Sequence, residues 1–155
     1  MGVRKPIVAG SYYPADKDSL LRLIKNSFLG KFGPGKAPGR AKSKKVYGVV
    51  VPHAGYAYSG MGAAHSYKAI AESANIDTFI LLGTNHTGYA ESNFAVSTQD
   101  FETPLGIVKN DKEFSNALIS QYKGKRFSLG ETQGDKLAHQ QEHSIEVQLP
   151  FLQFL

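Results

Sequence analysis

The feature that most constrains this chain is a pair of short, unbroken apolar runs, VYGVVV at 46–51 and TFILL at 78–82. Neither run alternates, so neither is patterned to show one face to water. Runs of this kind suit strands covered on both faces, as in α/β sheets. Between them, GMGAAHSYKAIAESA at 60–74 reads as a helix whose small residues allow close approach to a sheet. Strand, helix, strand in this order predicts a right-handed βαβ unit with a parallel pair.

The flanking segments fit the same class. Asp16 to Phe28 has leucines and Ile24 at helical spacing and acidic residues at its start. NFAVST at 93–98 is a strand candidate, TPLG at 103–106 is a turn before a short IVK strand, and 111–122 reads as a helix. From Gln141 a further helix begins, which Pro150 should end or kink. At 155 residues the chain is expected to form a single α/β domain, 1–155. No stretch reaches about 18 consecutive apolar residues, and the first residues lack an apolar leader, so the expectation is a cytoplasmic protein with no membrane segment.

Charge and cysteine content remove several function classes. The formal net charge is +5, but KFGPGKAPGRAKSKK at 31–45 holds six basic residues and no acidic ones. This segment reads as a solvated Gly/Pro-rich loop, and without an aromatic ladder beside it no specific nucleic-acid binding is expected. The chain has no cysteine, which excludes disulfides, thiolate metal sites and a cysteine nucleophile within it. Any metal must use His, Asp, Glu or water. No nucleotide cofactor is indicated, and Ser59 lacks the G-x-S-x-G context of a serine hydrolase.

Both apolar runs end in a histidine: His53 after Pro52, and His86 after LLGTN. In a parallel βαβ pair the carboxyl ends of both strands lie on one edge, where open α/β sheets place ligands. Two neutral imidazoles on one crevice begin a divalent metal site but do not complete it. The plain alternative is that each histidine only caps a turn. Farther on, His139-Gln-Gln-Glu142-His143 matches the H-x-x-E-H pattern of inverted zincins, with Glu142 as base. Its plain alternative is an exposed polar helix start. His65 reads as a packed helix residue.

Together VPHAGYAYSG, GAAHSY, LLGTNH and EHSIEVQLPFLQ, with GSYYPAD near the N-terminus, resemble the Memo family, also described as component B of the AmmeMemoRadiSam system. The resemblance implies a three-layer α/β/α sandwich with a largely parallel or mixed sheet, similar to LigB-type class III extradiol dioxygenases. In those enzymes two His and one Glu hold Fe(II). The resemblance makes His53 and His86 metal ligands, with iron or copper favoured over zinc, and implies redox or dioxygenase-like activity. Glu142 and His143 become the candidate catalytic residues, and Tyr56 lines the pocket. The expected ligand is a small molecule or a peptide. A non-catalytic module binding a peptide or anion in the same pocket is the alternative function, and an H-x-x-E-H zinc protease a weaker one. The family's third ligand, typically a cysteine, comes from a C-terminal half with no counterpart here. The chain is therefore expected to be a fragment, a split half or a shortened homologue, with a second chain or the C-terminal half completing the site.

Overall fold

A computed structural model describes residues 2–39, 45–73, 76–122 and 128–155, and these form an α/β structure. The first helix, α1, spans Lys17–Leu29, where Asp16 accepts the Ser19 N–H at 2.8 Å as its N-cap. Its buried stripe is Leu20, Ile24 and Phe28. The second, α2, spans Tyr56–Ala71, beginning at Tyr56 rather than Gly60. The earlier start has a local cause: the Gly55 carbonyl accepts the Tyr58 and Ser59 N–H groups, and Tyr56 N–H donates to the Tyr12 carbonyl. The helix was expected to run to Ala74, which lies outside the described residues. α1 and α2 pack closely at Gly60, where a Cβ would stand 2.7 Å from Ser27 Oγ.

The strands are short. β1 (Phe94–Ala95) pairs in parallel with β4 (Leu129–Gly130), and β2 (Phe101–Thr103) pairs antiparallel with β3 (Gly106–Val108) across the expected TPLG turn. α3 spans Lys112–Gln121, within the expected 111–122. α4 (Gln133–Gln140) was not anticipated; Thr132 and Asp135 close a capping box at its start. The helix expected from Gln141 is absent, because that residue is the C-cap of α4. Beyond it come a 3₁₀ turn at Glu146–Gln148 and α5 at Leu149–Phe154. Pro150 thus sits in the first turn of a helix, where its missing N–H costs nothing, instead of ending one.

The core is the wedge between α1, α2 and α5. Phe151 stacks on Tyr67 with centroids 4.7 Å apart, and Phe28 and Tyr56 close around it at 5.9 and 5.0 Å. The apolar runs depart most from expectation. Residues 46–51 and 78–82 are not strands and form no backbone–backbone hydrogen bond among the described residues, so the βαβ pair is not present. Tyr47, Val50, Ile80 and Leu82 are instead exposed, Val50 at 94%. Of the basic 31–45 segment, residues 40–44 lie outside the described residues; nearer its start, the Phe32 carbonyl lies 3.1 Å from His65 Nε2 on α2. Among the described residues no helix is long and apolar enough to cross a membrane.

Asp135 fixes α4 to the loop before β1. It is fully buried, and it accepts the N–H groups of Glu91, Ser92 and Thr132 together with the Ser92 hydroxyl. Burial alone would raise its carboxyl pKa, but the bonds from Ser92 and Thr132 outweigh burial and hold it below the usual value. A depressed folded-state value means stability that is present above about pH 4 and lost as pH falls further. Asp135→Ala is expected to cost about 2–4 kcal/mol through the lost cap and the orphaned donors. Urea unfolding at pH 7 measures that cost, and repeating it at pH 3 should show a smaller difference between variant and parent.

Candidate metal centre

Three segments distant in sequence meet at one point. His53 follows Pro52, whose carbonyl accepts from Gln148 Nε2 at 3.2 Å. His86 lies two residues past Thr84, whose carbonyl accepts from Ser144 Oγ at 2.8 Å. His143 lies between α4 and the 3₁₀ turn, two residues past the α4 C-cap. The EHSIEVQ stretch therefore places one histidine directly and ties down the backbone just ahead of the other two. Close approach there depends on Gly83, where a Cβ would stand 2.5 Å from Ser144 Oγ and 2.7 Å from Ile145 Cγ1.

The three rings form a triangle. Centroids are 5.2 Å apart for His53–His86, 6.0 Å for His53–His143 and 4.9 Å for His86–His143, the last pair lying nearly parallel at 11°. One ligand nitrogen from each lies within 4.8 Å of the others. Donors around one ion at about 2.1 Å are at most about 4.2 Å apart. For all three nitrogens to reach one ion the triangle would have to tighten slightly. Three imidazoles suit iron, copper, nickel or zinc as a donor set, and leave coordination positions open.

The electrostatics of this point are set by two buried carboxylates. Burial would raise the Glu142 pKa, but hydrogen bonds from His86, Ser144 and His143 bring it down to about 2. Burial holds the His143 imidazole below its ordinary value, opposed by Glu142 and reinforced by the other two histidines. Glu146, behind them, accepts from Arg4, from the Ile7 and Val8 N–H groups and from the Tyr13 hydroxyl.

The expected site residues are not all brought together. His53, His86 and His143 meet, with Glu142 against the last two. Tyr56, expected in the pocket, is a core residue here: it is 4% exposed and its hydroxyl donates to the Val147 carbonyl at 2.6 Å. The early start of α2 turns it inward. Tyr12 takes the place beside the cluster, edge-on to His143 with centroids 4.8 Å apart. The doubled tyrosine of GSYYPAD was the sequence signal for it. The inverted-zincin geometry is not formed, because α4 ends at Gln140 and His139 Nε2 lies 3.0 Å from the Ala95 carbonyl. A cleft of about 800 Å³ opens between residues 77–85 and α3; Glu142 borders it, but none of the three histidines does.

An α/β chain that gathers three imidazoles from separate segments, two of them against one buried carboxylate, presents a candidate histidine-based metal centre. The chain belongs to the Memo family: the model for "Memo-like protein" matches residues 4–155. It is 44% identical over 153 residues to a MEMO1 family protein of Methanopyrus kandleri, covering 98% of this chain and 52% of that protein. It is 44% identical over 155 residues to one of Methanobrevibacter smithii, with 98% and 52% covered. For one of Ignicoccus hospitalis the figures are 43% over 157 residues, 100% and 53%. The chain spans about half the length of the curated relatives it matches.

Proposed function

We propose that this chain carries one wall of a first-row transition-metal centre, with His53 and His86 as ligands and His143 as a third imidazole within reach. The observation that carries the reading is the convergence of three histidine nitrogens within 4.8 Å from segments far apart in sequence. Iron or copper suits this donor set, and such a metal supplies Lewis-acid and redox chemistry at its open positions. The chain's own part is to hold the imidazoles and to place the Tyr12 ring beside His143, where a small molecule or peptide would meet both. The reaction class proposed is redox or dioxygenase-like. Three neutral ligands offset none of the metal charge, so the Glu142 carboxylate behind them is its nearest counter-charge.

The remainder of a family-length polypeptide, as a continuation or a second chain, is proposed to complete the site and to cover residues 46–51 and 78–82 in a three-layer α/β/α arrangement. Support comes from the exposed apolar runs and the half-length match to the relatives.

Anaerobic titration with Fe²⁺, and separately with Cu²⁺, tests the metal reading. One equivalent is expected for the parent chain, with loss of that equivalent in His53→Ala and His86→Ala and weakened uptake in His143→Ala. Unchanged stoichiometry and affinity in all three variants sinks it.

A further inference from the structure

The Glu142 carboxylate is 9% exposed and is surrounded by donors. Oε2 accepts the His86 N–H at 2.6 Å, while Oε1 accepts the N–H groups of His143 at 2.7 Å and Ser144 at 2.9 Å. His86 Nδ1 lies 3.0 and 3.1 Å from the two oxygens, and His143 Nδ1 lies 3.3 Å from Oε1. With three backbone N–H groups converging on them, both oxygens act as acceptors. Nδ1 of His86 must then supply the hydrogen in its own contact, which leaves the lone pair of the neutral ring on Nε2.

We infer that Glu142 is a positioning residue that fixes the tautomer and plane of His86, so that Nε2 is the atom His86 offers to a metal. The inference rests on the metal reading given above and adds to it which atom binds and what aims it. A general base needs an oxygen lone pair free to face a substrate, and here both oxygens are engaged with backbone and imidazole N–H groups. The same carboxylate grips the His86 main chain and its ring, so backbone and side chain are set by one group. Carboxylate partners of this kind on ligating imidazoles fix ring orientation, and losing them weakens metal affinity about 10–100-fold.

The test uses the ¹⁵N-labelled chain and Zn²⁺ alone as a diamagnetic probe. Long-range ¹H–¹⁵N spectra at pH 8 identify the tautomer of each histidine. The metal-free parent should show His86 protonated at Nδ1, and the Zn²⁺-loaded chain should keep that proton. In Glu142→Ala the His86 ring should shift toward the Nε2–H form, and in Glu142→Ala and Glu142→Gln, where circular dichroism matches the parent, Zn²⁺ should bind about 10–100-fold more weakly. Protonation of His86 at Nε2 in the parent overturns the inference without needing any variant. Parent-like Zn²⁺ affinity in folded Glu142→Ala overturns it as well. If the parent binds neither Zn²⁺ nor, in the titrations above, Fe²⁺ or Cu²⁺, yet His86 is the Nδ1–H form and loses that preference in Glu142→Ala, the positioning contact stands and the metal reading fails.

Discussion

Arg4→Ala is expected to lower unfolding free energy by about 3–5 kcal/mol, the cost of removing one partner from a buried ion pair. The Arg4 side chain is 1% exposed and that of Glu146 is fully buried. Nη1 donates to Glu146 Oε2 at 2.6 Å, Nε to the His139 carbonyl at 2.8 Å and Nη2 to the Glu142 carbonyl. The guanidinium lies 5.0 Å above the Phe101 ring. Alanine would leave a buried carboxylate and two carbonyls without this donor. Glu146 would keep only the Ile7 and Val8 N–H groups and the Tyr13 hydroxyl. A domain of this kind has about 5–15 kcal/mol in total, so the loss is a large share. Arg4→Lys should recover little, since one ammonium cannot span three acceptors held in the fork geometry of a guanidinium. Arg4→Met/Glu146→Gln should recover only part, because the donors that Glu146 satisfies lose an ionised acceptor. Urea unfolding of the set, read as a double-mutant cycle, checks this; additive single costs would show that the pair is not coupled. Because Arg4 holds the Glu142 carbonyl, metal uptake should weaken in Arg4→Ala in parallel.

The meeting of His53 and His86 was legible because each closes a continuous apolar run, although the strand edge that such ends mark in α/β proteins is not formed by these runs. His143 was visible through the EHS stretch of the family resemblance and through a five-residue motif whose helical i, i+4 geometry is not formed, because α4 ends at Gln140. The signal for the true helix was present nearby, in the Thr132-x-x-Asp135 spacing of a capping box. Tyr56 went astray because a glycine N-cap cannot be told from a turn glycine without knowing that Tyr12 offers its carbonyl. Arg4 and Glu146 stand 142 positions apart, and nothing local in either neighbourhood announces a partner at that distance. The apolar runs carry the opposite lesson. Their composition states that they want cover on both faces, but a strand exists only when another segment bonds to it, and composition cannot say which segment that is.

The chain of 155 residues by itself is expected to self-associate through residues 46–51 and 78–82. Tyr47 is 87% exposed and Leu82 85%, with Val50 and Ile80 beside them, and the cleft of about 800 Å³ lies against the second run. Exposed apolar surface of this kind marks an interaction site or an aggregation hazard, and backbone with no backbone partner among the described residues adds to it. The occupant favoured here is the rest of a family-length polypeptide, since the relatives are about twice as long as the matched region. Two backgrounds separate this from a surface that simply tolerates water. In the 155-residue chain, Val50→Lys with Leu82→Lys should leave stability within about 0.5 kcal/mol, as exposed positions do, while shifting the chain toward monomer in light scattering. In a family-length polypeptide carrying this sequence, the same pair should destabilise by several kcal/mol, because each ammonium would then be buried without a partner. Equal, small effects in both backgrounds, together with a monomeric parent chain at high concentration, would mean that nothing covers these runs.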